Sequence, residues 1–236
     1  MRKALIITKY ELLQFFSNLS GYIFIIIFVM INAWFFAMPL FAYNIASLST
    51  FFYTTQLLLI VFIPVVTMNL ISREKNNGTI ETIYTLPIKV KDFIIGKYIA
   101  SLCIVMIALL PSIIHFFTIC LIGINVDFGI IFCGFLSLLL TSAVYCGIGV
   151  FSGCISSNQI ISFILSFFII IILYLLENVL MYLPVRLTSF LQFISITWQN
   201  ANLLKGVIDT RVLIYFFSLI FVFLYSGINY LESKTK

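Results

Sequence analysis

Long apolar runs separated by short polar breaks set the rhythm of this chain. No charged residue occurs from Leu12 to Ser72, from Tyr98 to Val126, from Phe128 to Leu176, or from Val212 to Leu231. A helix needs about 20 apolar residues to cross about 30 Å of hydrocarbon. The first interval therefore holds two crossings, divided at Tyr43-Asn44 and Ser47 to Thr50, and the third also holds two, divided at Ser152-Gly153 and Ser156 to Gln159. The pattern predicts six spans, over residues 21–42, 51–71, 98–123, 128–152, 160–183 and 212–231. Runs such as Phe167 to Leu176, FFIIIILYLL, lack the two-residue alternation of a barrel strand. The expected fold class is all-α, a polytopic membrane protein forming a single domain over residues 1–236. Gly21 to Ala42 is too long for a signal-peptide core and has no convincing small-residue cleavage site, so it stands as the first span.

Composition agrees with the pattern. The chain is 63% hydrophobic and 9% charged, with a mean hydropathy of +1.20, whereas a soluble domain carries about 25% charged residues. The five cysteines (Cys103, Cys120, Cys133, Cys146 and Cys154) fall inside or at the ends of spans with no paired spacing, and read as small apolar fillers. With six spans, ten of the 13 basic residues lie on one face, in the N-terminal segment, the second loop and the C-terminal tail. Only Arg186, Lys205 and Arg211 lie on the other. Basic residues are retained on the cytoplasmic side, which predicts two cytoplasmic termini in a multi-pass protein of the plasma membrane.

Residues 2–18 carry Leu5, Leu12 and Phe16 on one stripe of a helical wheel, with Lys3, Glu11, Gln14 and Asn18 opposite. This predicts a helix lying in the headgroup layer, the alternative being a basic flank that only fixes topology. Pro184 to Arg211 is too apolar for a solvated linker and predicts a pair of short helices at the outer interface or dipping into it, with Trp198 at headgroup depth. In the fourth span Ala143 and Gly147, then Gly149 and Gly153, recur at i, i+4 and permit close helix approach, within the subunit or across a dimer. Pro111 withholds a donor from the Ile107 carbonyl and bends the third span. His115 follows it and reads as packing, and Asp127 and Glu177, near span ends, read as structural or interfacial.

Against this background the second loop stands out. Of the chain's charged residues, eight (Arg73, Glu74, Lys75, Glu81, Lys89, Lys91, Asp92 and Lys97) lie within the 29 positions Asn69 to Lys97. Gly78 after Asn76-Asn77 marks a turn, since glycine accepts positive φ at little cost. Thr79 can cap a short helix whose apolar edge is Ile80, Ile83 and Tyr84. Pro87 disfavours helix at Leu86 and closes the element, and Asp92 offers a second cap ahead of the third span. A short ridge of this kind suits the groove of a soluble partner.

The stretch Arg73 to Ala100, REKNNGTIETIYTLPIKVKDFIIGKYIA, resembles the corresponding loop of type-2 ABC exporter permeases. There an Arg/Glu-rich lead, a Gly-Thr-x-Glu helix start, a Leu-Pro and an acidic residue ahead of Gly-Lys recur. Leu203 to Leu219, LLKGVIDTRVLIYFFSL, is similar to the approach to the last span in the gliding-motility-like branch of that family. The resemblance implies that Arg73, Glu74, Gly78, Thr79, Glu81, Thr82, Leu86 and Pro87 form a coupling helix that docks on a separate ATPase. It further implies that residues 2–18 form a connecting helix and that residues 184–211 form an external re-entrant gate. Trp198-Gln199-Asn200 departs from the family pattern, which has an aromatic segment carrying His or Glu there.

A transporter must be driven, and the chain has no GxxxxGK[ST] phosphate loop, so ATP and Mg are expected on a partner ATPase and no cofactor on this chain. The other expected partners are a second permease copy, as homodimer or heterodimer, and membrane lipid, with no nucleic acid. The alternative function is an ion-coupled secondary transporter, which would depend on His115, Asp127 or Glu177, because ionisable groups in mid-membrane are accepted for function. An intramembrane enzyme would need clustered carboxylates or His and Glu sets, which one histidine and scattered acids do not supply.

Overall fold

The computed structural model describes residues 2–43, 47–81, 88–123, 126–180 and 192–234. Among these the regular structure is all helical, and six helices are long and apolar enough to cross a membrane. The helices are α1 (Arg2–Ser17), α2 (Leu19–Tyr43), α3 (Ser49–Thr67), α4 (Ser72–Asn76) and α5 (Val90–Leu109). They continue with α6 (Ile113–Ile122), α7 (Phe128–Ile155), α8 (Gln159–Leu180), α9 (Ile196–Leu204) and α10 (Thr210–Lys234). The crossings are α2, α3, α5 with α6, α7, α8 and α10, one for each predicted span.

The boundaries differ from the expectation where charge sits on a helix. The third crossing starts at Val90 rather than residue 98, so Lys91, Asp92 and Lys97 are helical. Asp92 is therefore not a cap. It lies in the first turn, where a carboxylate favours the positive end of the helix dipole. The second crossing ends at Thr67, and the chain turns before α4. A 3₁₀ turn over Leu110–Ser112 joins α5 to α6, and the Leu110 N–H takes up the Ile107 carbonyl that Pro111 leaves without its usual donor. α3 runs through Pro64 without a break. His115 stacks on Phe36 with ring centroids 4.2 Å apart and meets Phe51 edge-on. The Asp127 carboxylate accepts from the Gly129 and Ile130 N–H groups at 2.8 and 3.3 Å and so caps α7. Residues 181–183 of the predicted fifth span lie outside the described residues.

α7 is the mast of the bundle, with α3, α5, α8, α9 and α10 all packed on it. The core joins Phe52, Leu59 and Ile63 of α3 to Leu138, Val144 and Ile148 of α7 and Phe216 of α10. Lipid tails are as apolar as these side chains, so contact distance rather than escape from water sets helix association. A Cβ on Gly134 would come within 2.2 Å of the Phe52 ring, and one on Gly149 within 2.1 Å of Thr67 Oγ1 and 2.7 Å of Thr67 Cβ. Gly153 faces Ile71, where an added Cβ would sit at 3.3 Å. Gly147 instead faces α10, with its nearest neighbour, Phe223 Cβ, at 3.9 Å. Within this chain the α3 end of the seam is therefore the tight one.

That difference gives opposite expectations for two chemically identical substitutions. Gly149→Ala forces α3 off α7 and should destabilise by about 1–3 kcal/mol. Gly147→Ala meets only ordinary contacts and keeps the helix-propensity gain of up to about 1 kcal/mol. Thermal unfolding of the detergent-purified variants checks this, with Gly149→Ala expected to melt below Gly147→Ala.

Candidate functional site

Charge and irregular backbone converge where α3 ends, α4 turns and α5 begins. Lys97, in the second turn of α5, is 1% exposed. Its Nζ donates to Glu11 Oε1 at 2.6 Å, to Glu74 Oε1 at 2.7 Å and to the Leu70 carbonyl at 2.6 Å. An ammonium has three N–H donors, and each finds an acceptor here. The Leu70 carbonyl belongs to the turn following α3, where the carbonyl end of a helix favours a cation. The Phe93 ring, its centroid 5.1 Å from Nζ, closes the other side. One lysine thus ties α1, the turn after α3, and α4 to α5.

Glu11 reaches Lys97 because α1 lies very close to α5. A Cβ on Gly96 would stand 2.8 Å from the Ala4 carbonyl and 2.9 Å from Ile7 Cβ. The Thr8 hydroxyl donates to the Gly96 carbonyl at 3.0 Å. The packed face of α1 is therefore Ala4, Thr8 and Glu11, not the stripe of Leu5, Leu12 and Phe16 that the helical wheel favoured. Leu5 is 59% exposed, whereas Glu11 is only 6% exposed. Small residues let the backbones approach, and the buried acid is accepted because it meets a lysine.

The opposite flank of α4 is held as well. Lys75 Nζ donates to the Cys154 carbonyl at the end of α7 and lies 5.5 Å from the centre of the Tyr230 ring of α10. Lys234 sits 5.3 Å from the same ring. Cation–π contacts of this type contribute about 0.5–1 kcal/mol each where exposed. Adjacent residues of one short helix, Glu74 and Lys75, thus bind different helices of the bundle. α4 cannot shift without straining α1 and α5 on one side and α7 and α10 on the other. The arrangement suits transmission of displacement rather than bond chemistry.

The predicted loop residues divide around this junction. Arg73 is exposed on α4, Glu74 joins the lysine, and Gly78 takes φ +69°. The chain is helical again at Thr79 to Glu81, with Glu81 exposed. Thr79 does not cap outward. Its hydroxyl donates back to the Glu74 carbonyl at 3.2 Å, locking the turn onto α4. Thr82, Leu86 and Pro87 lie outside the described residues. Lys97 and Glu11 are the participants that the sequence pattern did not select. Their signal is a lysine following the apolar run Phe93 to Ile95 and an acid flanked by Tyr10 and Leu12.

A second polar group lies in the bundle about 20 Å along α7 from Cys154. Gln56 Nε2 donates to Ser137 Oγ at 2.9 Å, Ser137 Oγ donates to Asn200 Oδ1 at 2.9 Å, and Asn200 Nδ2 donates to Thr141 Oγ1 at 2.8 Å. All four residues are buried, and the chain of bonds fixes α9 against α7 and α3. Between residues 184 and 211, α9 is helical, with Ser195 capping the Trp198 N–H, and Gly206 takes φ +84° before α10. Residues 184–191 lie outside the described residues.

Compared with known families, the chain matches the one described as ABC-2 family transporter protein over residues 6–228. No curated protein matches it. The matched interval contains α4, Lys97 and the crossings from α2 to α8, and reaches into α10.

The junction makes a quantitative prediction about Lys97. Lys97→Met leaves the buried Glu11 carboxylate and the half-buried Glu74 carboxylate without their cation, and removing one partner of a buried ion pair costs about 3–5 kcal/mol. Adding Glu11→Gln and Glu74→Gln to that variant removes the stranded charges and should recover part of the loss. Melting temperature and monodispersity in detergent report both steps.

Proposed function

The chain belongs to the ABC-2 family of transporter proteins, and on that premise we propose that it is the transmembrane half of an ATP-binding-cassette exporter. ATP and Mg are bound, and ATP is hydrolysed, on a separate ATPase subunit that docks on the segment beginning at Gly78. Two permease copies, identical or not, form the path across the plasma membrane, with both termini in the cytoplasm. Ten basic residues on the junction face against three on the other support this orientation. The Lys205 to Asp209 stretch favours the gliding-motility-like branch.

The observation that carries the reading is the position of α4. The proposed docking segment leaves directly from a helix tied to four others, so a push on it reaches the bundle from both flanks. Thr79, bonded back to Glu74, makes the first turn of the segment continuous with α4. Residues 2–18 take the role of a connecting helix through Glu11. Residues 184–211 take the role of an external gate, whose α9 is held by neutral hydrogen bonds.

The test is co-expression with a candidate ABC ATPase subunit, followed by affinity capture of the permease. The intact chain should retain the ATPase and raise its hydrolysis rate. Deletion of residues 78–87 should abolish capture, and Glu81→Arg, at an exposed position, should do so while leaving the detergent melting temperature unchanged. Capture and stimulation that survive both changes would overturn the docking assignment.

A further inference from the structure

Two acids share the ammonium of Lys97. Glu11 Oε1 and Glu74 Oε1 lie 2.6 and 2.7 Å from the same Nζ, so their carboxyl groups are near neighbours. The other cations about α4 do not complete the balance. Arg73 is exposed, and Lys75 is drawn to the Cys154 carbonyl and the Tyr230 ring, which it shares with Lys234. α8, which also packs on α4, carries no charged residue before Glu177. Where two carboxyl groups share one site, ionising both is costly and one of them tends to keep its proton.

The structure distinguishes the two acids. Glu74 Oε2 is buried and has no hydrogen bond among the described residues. An ionised oxygen left dry and without a donor costs more than a neutral hydroxyl in the same place. Burial pushes the Glu74 carboxyl above the usual carboxylate range, against the opposing pull of Lys97. We propose that Glu74 holds a proton on Oε2 at neutral pH in the folded protein, which makes the tie between α4 and α5 a proton-sensitive latch. With the proton bound, Lys97 balances Glu11 one to one, and Glu74 Oε1 still accepts from Nζ as a carbonyl oxygen. When the proton leaves, a second negative charge falls on the same lysine and α4 is held less tightly. The latch lies just before Gly78, so proton release loosens the base of the segment that follows. It rests on the junction alone and does not depend on which partner docks there.

The unfolded chain releases this proton at the ordinary glutamate value of about 4.3, whereas the folded chain keeps it to higher pH. The contribution to stability is therefore full in acid and is lost as pH rises through the raised folded value. The experiment follows thermal unfolding of the full chain in detergent from about pH 5 to about pH 9, beside Glu74→Gln, whose amide imitates the neutral acid. Relative to that variant, the folded-to-unfolded ratio of the unmodified chain should fall by up to about ten-fold per pH unit, the slope of one proton. The two should melt together in acid, and Glu74→Gln should melt higher in alkali. Glu81→Gln, at an exposed position, should follow the unmodified chain. Infrared spectroscopy reads the proton directly, as the carbonyl band of a carboxylic acid that is present at neutral pH and absent from Glu74→Gln. Glu11→Gln leaves Lys97 a single acid to pair with, so Glu74 ionises and the band is lost there too, although the residue remains. No acid band in the unmodified chain at neutral pH, or a band that persists in either variant, would overturn the proposal. So would a Glu74→Gln chain that melts below the unmodified one by the same margin at every pH.

Discussion

One buried ammonium organises the charged end of this protein. A lysine at 1% exposure is stable only if its charge is matched and its donors are filled. Lys97 satisfies both demands at once, with two carboxylates and one carbonyl. Each acceptor comes from a different part of the chain, so meeting the lysine's requirements also assembles the junction. Gly96 makes that possible. Without its close approach to Ala4 and Ile7, α1 would stand too far from α5 for Glu11 to reach.

The same logic explains why α4, a helix of only five residues, keeps a fixed place. A helix that short has no useful propensity of its own, because nucleation costs more than one turn returns. Its position comes from Glu74 and Lys75, which grip different helices of the bundle. Gly78 then lets the chain reverse at positive φ, and Thr79 bonds back to the Glu74 carbonyl. The charge density that marks this loop in the sequence thus has two structural parts. Some of it holds the loop to the bundle, and some, with Arg73 and Glu81, stays exposed.

The crossings were legible in the sequence because charge is costly in hydrocarbon, so its absence outlines each span. The same rule misplaced the start of α5, since Lys97 and Asp92 look like loop residues until a partner is known. Glu11 was assigned to the solvent side for the same reason. Its partner lies 86 residues away, and no local period encodes that distance. Asn200 appeared only as a departure from the family pattern, yet it joins Ser137 and Thr141, which are spaced i, i+4 on α7. The tight face of the small-residue seam was likewise set by a partner, Thr67, rather than by spacing.

The two polar groups of the bundle differ in strength. The junction is ionic, and breaking a buried ion pair by losing one partner costs about 3–5 kcal/mol. The Gln56, Ser137, Asn200 and Thr141 chain is neutral, and hydrogen bonds between membrane helices average about 0.6 kcal/mol. The Lys97 cluster therefore cannot lose one member without stranding charge, whereas the contacts of α9 can part at small cost. Neutral amides and hydroxyls can also exchange partners among themselves, which a lysine between two carboxylates cannot do without stranding charge. The protein thus has one polar layer whose partners are fixed by charge and a second whose neutral partners can exchange, with α7 running continuously between them.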